Sequence, residues 1–451
     1  MKRMNAHLNW PAIESLLDSW FAGGFSRSSA LPFNSSEHSW ETALLAGAMF
    51  KRGAPELTCV SSGEKRPIPS PHAFSSQKSI STQYKIFSEF EDFLGMREHP
   101  NSNGVAVCDA KVLELHPDIE VSLNRRNIRV FKIECTEEKK SLFTVQSLLS
   151  KIPEKPDHLF VIGGGICCDI GGFLGGLIGC RIHLVPTTLL ASVDAGLGGK
   201  TGVNHREAGK NQIGLFVSFE SISVITSLIK TLSATCVRQG IAEVLKHTFL
   251  AGSLERCQPT LEKLITESNL AALEPREIQS LIQENLDFKA RIVSFDPIEK
   301  NIRSMLNFGH TTAHLLESLS ATQSAQQSGK FSAISHGAAV ATGQLCFLRM
   351  GWAKNAPPAY STLLEALIEA ENIRLPIYNL RDIEFAARKI LRQDKKNQVE
   401  KSSNIVCITP SYGCLKTLPQ NNELILFLEM NTRLLDAENL LLQLKFSGLF
   451  S

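Results

Sequence analysis

Residues 160–215 read FVIGGGICCDIGGFLGGLIGCRIHLVPTTLLASVDAGLGGKTGVNHREAGKNQIGL, and this stretch decides the fold. A short apolar run ends in three glycines at 163–165, and a second ends in Pro-Thr-Thr at 186–188. The stretch closes on Gly-Gly-Lys-Thr at 198–201 and Gly-Lys-Asn at 209–211. Glycine lets backbone amides approach phosphate oxygens closely, and lysine and asparagine add charge and donors. The order predicts strand, glycine turn, helix start, strand and phosphate loop, and therefore a nucleotide cofactor and a phosphorylated substrate.

The flanking sequence extends this into an α/β pattern followed by helices. Strands at 104–108, 128–133 and 158–162 and an amphipathic helix at 142–149 indicate a parallel sheet, with ligands at the carboxyl ends of its strands. Helical spacing recurs near 237–250, 258–270, 276–293, 304–318 and 336–350. We therefore predict an α/β nucleotide-binding domain, Rossmann-like with a parallel sheet, and a mostly α-helical C-terminal domain.

Composition along the chain predicts where the domains begin and end, and the net charge argues against two kinds of partner. We predict an extension and linker at 1–80, with helices near 8–20 and 41–50, the α/β domain at 81–215, the helical domain at 216–430 and a tail at 431–451. The extension is predicted to be a surface appendage without a catalytic role; partner binding or covering of a dimer surface is the alternative. The net charge of +2 favours neither nucleic acid nor an anionic membrane as partner.

The cysteines and the hydropathy pattern indicate the compartment. Eleven cysteines without a CxxC pair indicate reduced thiols and a cytoplasmic protein. Cys167 and Cys168 are predicted to lie in the glycine turn. The chain shows neither a run of about 18 apolar residues nor the apolar core of a secretory signal, so we expect no membrane span and no export.

Later motifs connect the chain to a known family. Gly240-Ile-Ala-Glu-Val-Leu-Lys246, Lys289-Ala-Arg-Ile-Val293, Arg303-Ser-Met-Leu-Asn-Phe-Gly-His-Thr-Thr-Ala-His314 and His336-Gly337 follow in order. Together with 160–215 they resemble the 3-dehydroquinate synthase family of sugar phosphate cyclases, over roughly residues 82–420. The resemblance implies conversion of 3-deoxy-D-arabino-heptulosonate 7-phosphate to 3-dehydroquinate and phosphate in the shikimate pathway. It also implies transient use of NAD, a Zn²⁺ or Co²⁺ ion, and a homodimer.

Two interpretations of the histidines differ in the metal ligands that they predict. Spacing alone nominates His310 and His314, which are four residues apart on one helix face. The resemblance instead implies Glu243, His310 and His336 as ligands, which suits catalytic zinc with an open position, and leaves His314 for phosphate. The recurrence of Arg303, Asn307, His310 and His314 at i, i+4, i+7 and i+11 predicts one polar helix face directed at a ligand.

The resemblance also assigns substrate and cofactor positions. It implies that Lys200, Asn211, Asn307 and His314 bind the phosphate, and that Lys289 and Arg303 bind a carboxylate. Lys246 and Lys200 would polarise oxygens around the metal, and one of Lys395 and Lys396 would line the pocket. The implied NAD positions are Glu137, Lys140, Gly163, Gly164, Gly165, Asp169, Thr187, Thr188, Asp194, Lys200, Lys210, Thr231 and Leu232. Asp194 would lie beside the nicotinamide ribose and Asp109 on the adenosine side.

The chain departs from the family pattern at three places. Ile178 replaces an arginine that reaches phosphate across the dimer, so we expect weaker phosphate binding. Arg181 is a poor substitute, because an odd offset within a strand points to the opposite face. Thr136 replaces a glycine, and the turn before Glu137 is predicted to differ in shape because threonine disfavours positive φ. A polar Ser/Gln/Ala loop at 320–335 is longer than the family's.

Three other functions remain open from the sequence. A cyclase that acts on sedoheptulose 7-phosphate would leave Lys289 and Arg303 facing no carboxylate. An iron- or zinc-dependent alcohol dehydrogenase of similar two-domain build would not need this set of anion-binding residues. A degenerate, non-catalytic paralogue that serves as a binding protein would release no phosphate.

Overall fold

The computed structural model describes residues 58–61, 64–67, 82–95, 103–152, 155–205, 209–299, 301–326, 334–371, 404–418 and 432–436. The chain divides into two compact units, of which the first contains residues 1–187 and 199–225 and the second 188–198 and 226–451. The predicted helices of the N-terminal extension and Lys395 and Lys396 lie outside the described residues. The role of the extension stays a prediction.

The first unit is built on a six-stranded, all-parallel sheet. Its strands, in spatial order, are β3 (Gln83–Phe87), β10 (Ser221–Ile225), β7 (Arg181–Pro186), β6 (His158–Gly163), β4 (Gly104–Asp109) and β5 (Arg129–Ile133). The unit's helices are α1 (Phe90–Gly95), α2 (Ala110–Leu115), α3 (Asp118–Arg125), α4 (Leu142–Lys151) and α5 (Gly165–Ile178). The predicted parallel α/β sheet is confirmed.

The strand order reverses between β4 and β6. The chain runs outward from β4 to β5, and then returns through β6, β7 and β10 on the other side. In open α/β sheets ligands bind outside the carboxyl ends of the strands at such a switch point. Here those ends are Asp109 of β4 and Gly163 of β6. The sheet thus places the glycine turn where a nucleotide is expected.

The segment after the glycine turn differs from the prediction in two details. Cys167 and Cys168 lie in the first turns of α5 rather than in the glycine turn, because the helix begins directly at Gly165. Ile178 is the last residue of α5, whereas Arg181 begins β7, with Gly179 between them at φ 70°. The argument from strand alternation was therefore wrong, since the two residues belong to different elements.

Two further strands of the first unit form a hairpin. β8 (Lys200–His205) pairs antiparallel with β9 (Gly209–Phe216). The hairpin starts at Gly199, whose φ of 67° brings it so close to the backbone that a Cβ atom would lie 2.1 Å from Val217 O. Only glycine fits there, which explains part of the Gly-Gly-Lys-Thr motif. A separate hairpin joins β1 (Thr58–Ser61) to β2 (Glu64–Pro67).

The second unit is mostly helical, as predicted. Its helices are α6 (Thr226–Ile229), α7 (Ala234–Ala251), α8 (Leu254–Glu267), α9 (Pro275–Phe295), α10 (His310–Gln326), α11 (His336–Arg349) and α12 (Pro358–Ala370). A π-helical turn covers Ala191–Ala195, and 3₁₀ turns cover Leu270–Ala272 and Ile302–Asn307. Strands β11 (Asn404–Ile408) and β12 (Thr432–Asp436) pair antiparallel. Helix α7 forms the centre, with twelve of its eighteen residues buried.

Two expectations about the helical region were wrong. The segment 304–318 is not one helix, because Gly309 at φ 79° separates the 3₁₀ turn from α10. The predicted loop at 320–335 begins later than expected, since α10 continues to Gln326 through alanine and glutamine, which favour helix. Among the described residues, no helix has both the length and the apolar character that a bilayer span requires.

Candidate metal and substrate site

Three polar side chains converge in the second unit. Glu243 comes from the middle of α7, His310 is the first residue of α10, and His336 is the first residue of α11. One ligand atom from each lies within 4.8 Å of the others. Nε2 of His310 and Nε2 of His336 are each 3.6 Å from Glu243 Oε1. The three residues that the resemblance implied as metal ligands are thus together.

The hydrogen bonds of both rings direct the same nitrogen at Glu243. Nδ1 of His310 lies 3.3 Å from the carbonyl oxygen of Phe308, and Nδ1 of His336 lies 3.1 Å from Glu317 Oε1. Both partners can only accept, so each Nδ1 carries a hydrogen atom. The lone pair of a neutral ring is then on Nε2, the atom that faces Glu243. This arrangement suits two imidazoles that bind one metal ion.

Glu243 is the most buried member of the group. It is 0% exposed, and within the described part of the chain neither carboxylate oxygen accepts a well-aligned hydrogen bond. Lys246, one turn further along α7, faces Oε2 as an ion pair. Burial raises the pKa of Glu243, but the charge of Lys246 outweighs it, and the pKa lies well below its ordinary value. The buried carboxylate is therefore ionised, as a metal ligand must be.

The electrostatics of the two histidines differ. Burial, together with the charge of Lys246, holds the pKa of His310 well below its ordinary range. Burial also acts to lower the pKa of His336, but the neighbouring carboxylates of Glu243 and Glu317 prevail and raise it to about 10. His336 thus carries a proton between the two carboxylates when no metal competes for it.

The polar face predicted along one helix does not exist. Arg303 and Asn307 lie in the 3₁₀ turn, and only His310 and His314 share α10. Asn307 Nδ2 donates to Glu299 Oε1 at 2.9 Å and to Ser304 O at 3.0 Å. His314 is exposed, with its ring centroid 5.9 Å from that of His310, and it is not part of the group of three. Its phosphate-binding role stays a prediction.

A second cluster surrounds Asp194, which the π-helical turn presents. Lys289 Nζ lies 2.6 Å from Asp194 Oδ1 and also contacts its backbone carbonyl. Arg303 donates to Pro297 O at 2.6 Å and to Gly198 O at 2.9 Å. Gly198, at φ 113°, must be glycine because a Cβ atom would lie 2.3 Å from the guanidinium. The two cations expected to bind a carboxylate are thus both buried, and Lys289 is paired with Asp194.

Burial and neighbouring charges shift the pKa values of this cluster. Among the described residues, no carboxylate forms an ion pair with Arg303, and burial lowers its pKa to about 10, far above neutrality. Burial lowers the pKa of Lys289 also, with a contribution from Arg303. Burial alone would raise the pKa of Asp194, but Lys289 and Lys246 hold it well below its ordinary value. Asp296, which is buried, accepts from Arg303 N at 3.0 Å through its Oδ2, so the cluster contains two cations and two anions.

Sequence reasoning missed three residues of this region. His247 Nδ1 lies 3.0 Å from Asn285 Oδ1, while its Nε2 is 3.5 Å from Asp194 Oδ1. Both His247 and Asn285 are buried, on α7 and α9 respectively. Glu317 contacts His336 from α10. A polar pair on otherwise apolar helix faces was the available signal for His247 and Asn285, whereas Glu317 resembles an ordinary surface glutamate.

In the first unit, the glycine turn and its partners form the candidate nucleotide site. A Cβ atom at Gly163 would lie 2.5 Å from Cys167 Cβ and 3.0 Å from Asp109 Cβ. Gly164 caps α5 without any side-chain hydrogen bond, and Gly163 O accepts from Thr187 N at 3.0 Å. A helix N-terminus without a side-chain cap offers its amides to an anion. Asp109 caps α2 by accepting from Lys111 N at 3.0 Å.

Asp169 connects three elements of the first unit. Its Oδ2 lies 2.5 Å from Lys140 Nζ, and its Oδ1 accepts from Gly202 N at 3.0 Å. The Lys140 side chain is only 6% exposed. These two predicted cofactor residues therefore bind each other, and they join the turn before α4 to α5 and to the β8 hairpin.

Glu137 lies beside the end of the β8–β9 hairpin at which His205 pairs with Gly209. Asn204 Nδ2 donates to Glu137 Oε1 at 2.8 Å, and Asn204 Oδ1 accepts from Asn211 N at 2.8 Å. Lys210 Nζ is 4.0 Å from Glu137 Oε1. Thr136 is not among the described residues with positive φ, and its oxygens accept from Lys139 N. The turn before Glu137 thus accommodates threonine without backbone strain.

The remaining predicted positions are distributed over both units. Lys200 begins β8 in the first unit, and Thr187 is buried directly after β7. Thr188 belongs to the second unit and caps the π-helical turn, with its Oγ1 accepting from Ala191 N at 3.1 Å. Thr231 donates to Leu228 O at 2.8 Å, and Leu232 follows it. Roles in cofactor binding stay predictions for these residues.

Solved structures share this fold. A 2-deoxy-scyllo-inosose synthase complexed with carbaglucose-6-phosphate, NAD⁺ and Co²⁺ matches at a TM-score of 0.64 and 19% identity, covering 80% of this chain and 95% of that one. A 2-epi-5-epi-valiolone synthase from Streptomyces hygroscopicus subsp. jinggangensis 5008, with NAD⁺ and Zn²⁺ bound, matches at 0.62 and 18%, covering 82% and 98%. At these identities the likeness shows the fold alone.

Sequence comparisons are more specific. The profiles of the 3-dehydroquinate synthase N-terminal and C-terminal families match residues 130–239 and 240–397. The 3-dehydroquinate synthase of Legionella pneumophila (strain Corby) is 36% identical over 244 residues, which span 53% of this chain and 57% of that protein. The chain thus matches little more than half the length of that relative. The 3-dehydroquinate synthase of Clostridium tetani (strain Massachusetts / E88) is 30% identical over 331 residues, 70% of this chain and 81% of that protein. The chain belongs to the 3-dehydroquinate synthase family.

Proposed function

We propose that the protein is a 3-dehydroquinate synthase, which converts 3-deoxy-D-arabino-heptulosonate 7-phosphate to 3-dehydroquinate and phosphate. The observation that carries the proposal is the convergence of Glu243, His310 and His336 within 4.8 Å. These residues lie in the part of the chain that the C-terminal family profile matches. The reaction requires a metal ion and a redox cofactor near one phosphorylated sugar acid, and each requirement has candidate residues here.

The donor set fits a divalent metal ion. An ionised, buried carboxylate and two imidazoles with Nε2 directed inward are ligands that Zn²⁺ accepts, with room for a substrate oxygen. The two structural relatives carry Co²⁺ and Zn²⁺, which supports either ion here. Glu243, with both oxygens buried and no well-aligned hydrogen bond to a described residue, is the strongest sign of a cation.

The glycine turn fits NAD. The same two relatives are complexes with NAD⁺. Gly163 leaves no space for a side chain, and the N-terminus of α5 offers amides at the switch point of the sheet. We propose that these groups bind the pyrophosphate. The ion pair of Lys140 with Asp169 would hold α5 in place against the β8 hairpin.

The chain's own residues would orient the substrate and stabilise the charge that develops during the reaction. When bound, the metal supplies Lewis acidity to a substrate hydroxyl, and the nicotinamide supplies a transient hydride acceptor. Burial acts to lower the pKa of Lys246, but Glu243 and Asp194 raise it, so its ammonium stays available to polarise an oxygen. Asp194 would accept hydrogen bonds from the nicotinamide ribose. The residues proposed to bind phosphate are Lys200, Asn211, Asn307 and His314.

The surroundings of Arg303 support a sugar acid rather than a neutral sugar as the substrate. Arg303 is buried, and within the described part of the chain its guanidinium donates to the carbonyl oxygens of Pro297 and Gly198 and forms no ion pair. A substrate carboxylate would give this guanidinium a charged partner, whereas sedoheptulose 7-phosphate or a simple polyol has no carboxylate to offer it. We therefore place Arg303 at the carboxylate of the substrate.

One assay tests the proposal. The full chain, loaded with Zn²⁺ or Co²⁺ and supplied with NAD, is offered the heptulosonate phosphate or sedoheptulose 7-phosphate, and products are identified by mass. We expect 3-dehydroquinate and phosphate from the first substrate. Faster turnover of sedoheptulose 7-phosphate would contradict the substrate assignment, and no phosphate release from either would indicate a non-catalytic paralogue. Light scattering of the same preparation measures the proposed homodimer.

A further inference from the structure

His336 is the most exposed of the three proposed metal ligands. Its side chain is 34% exposed, against 12% for His310 and 0% for Glu243. It begins α11, directly after the connection from α10. A histidine ring rotates about two torsions, so a ligand in this position needs contacts that hold the ring in one orientation.

Glu317 provides such a contact. It lies seven residues after His310 on α10, which is about two turns along the same face. Its Oε1 is 3.1 Å from His336 Nδ1, while His336 Nε2 is 3.6 Å from Glu243 Oε1. The ring is therefore held between two carboxylates, with one nitrogen toward each. Because a carboxylate only accepts, the hydrogen atom of a neutral ring stays on Nδ1.

The backbone around this contact is also tied to α10. Ser320 Oγ accepts from Ile334 N at 3.2 Å and donates to Glu317 O at 3.1 Å. Ile334 packs in a buried cluster with residues of α10 and α11: Ala313, Leu316, Ala338, Ala339 and Val340. The chain returns to α10 two residues before His336. The position of His336 is thus set by contacts close to Glu317.

We propose that Glu317 is a positioning residue that, through Nδ1 of His336, directs Nε2 at the position where Glu243 and His310 would bind the metal ion. The inference rests on the proposed function for the presence of a metal ion. Outer partners of metal-bound histidines typically change metal affinity by about 10- to 100-fold. Glu317 acts through another residue and touches neither substrate nor cofactor.

Metal affinity of the full chain tests this role without any assay of activity. The metal-free protein is titrated with Co²⁺ against a chromophoric chelator, and the visible spectrum of bound cobalt reports its coordination. We expect Glu317→Ala to weaken binding by about 10- to 100-fold. Glu317→Gln should weaken it less, because the amide oxygen still accepts from Nδ1. Glu365→Gln is the matched control, since Glu365 forms an exposed ion pair with Arg349 at 3.0 Å and should leave affinity unchanged.

A double-variant cycle separates positioning from a general structural effect. If Glu317 acts through His336, then Glu317→Ala should cost nothing further in a His336→Ala background. A further loss of similar size there, or wild-type affinity in Glu317→Ala, would overturn the inference. Should Glu317→Ala fail to fold, Glu317→Gln carries the same comparison. Absence of metal binding by the wild type would overturn the metal centre itself, which is a distinguishable result.

Discussion

Lys289 and Asp194 form an ion pair in which Nζ lies 2.6 Å from Oδ1, joining α9 to the π-helical turn. The Lys289 side chain is 6% exposed and that of Asp194 is 22% exposed. The resemblance had implied separate roles for these residues, one at a substrate carboxylate and one at the nicotinamide ribose. π-helical turns often occur at functional sites. The ion pair shows that these two residues belong to one charge cluster.

Removing one charge of this pair should lower the free energy of unfolding more than removing both charges. Asp194→Asn leaves a buried ammonium without its carboxylate, which typically costs about 3–5 kcal/mol in the free energy of unfolding. Asp194→Asn combined with Lys289→Met removes both charges and should recover most of that loss. Urea unfolding of the metal-free protein measures the difference. Equal destabilisation by the single and the double variant would contradict the prediction.

The stability that Asp194 contributes through this pair should depend on pH. The folded pKa of Asp194 lies well below its ordinary value of 3.8, through the charges of Lys289 and Lys246. Its contribution to stability is therefore fully present above about pH 4 and is lost as the pH falls below that value. Unfolding of wild type and Asp194→Asn, compared between pH 7 and pH 3, should show a difference that shrinks at the acidic end. A constant difference would contradict this reasoning.

His310 and His314 provide a matched comparison for the metal site, since they lie four residues apart on α10. We expect His310→Ala to weaken metal binding by more than about a hundredfold, beyond the range of outer-shell changes. His314→Ala should retain metal and instead raise the Michaelis constant of the phosphorylated substrate. Metal content after dialysis and chelator competition measure both. Loss of metal in His314→Ala would restore the interpretation from spacing alone.

Variants of Asp169 and Lys140 would test the candidate nucleotide site of the first unit. Asp169→Asn should lower the thermal midpoint, because Lys140 Nζ, 2.5 Å away and buried, loses its counter-charge. The double variant Asp169→Asn/Lys140→Met should recover the midpoint. If the two side chains also contact NAD, the affinity for NAD stays reduced in the double variant. Recovery of both quantities, measured by thermal unfolding and calorimetry, would assign the pair a purely structural role.

Substitutions at Ile178 examine the position where the family pattern has an arginine. Ile178 is 6% exposed at the end of α5, so Ile178→Arg forces a longer, charged side chain into a packed position, at a cost of roughly 1–3 kcal/mol from overpacking alone. We expect a lower thermal midpoint, while Ile178→Leu should resemble wild type. A lower Michaelis constant for the substrate with an unchanged midpoint would contradict this and would place residue 178 near a phosphate site of a partner subunit.

The amino-acid sequence by itself determined the fold class and the identity of most candidate site residues. The apolar runs around Gly163 and Pro186 predicted strands that the sheet contains, because buried parallel strands need continuous apolar segments. Helical spacing of apolar residues predicted helices in the region of α7 to α11, because a helix that packs on a core needs one apolar face. The motif containing Glu243 and the histidines of α10 and α11 indicated the metal ligands only through the family resemblance, since spacing alone favoured His310 with His314.

Only the tertiary structure decided which polar groups meet. Gly309, at φ 79°, breaks the segment 304–318 and separates Arg303 from His310, a turn that periodicity does not reveal. The pairs Lys289 with Asp194, His247 with Asn285 and Glu317 with His336 each join elements distant in sequence. Their partners are set by how the helices and the π-helical turn of the second unit pack against one another, and local sequence contains no information on contacts between side chains that lie 19, 38 or 95 positions apart.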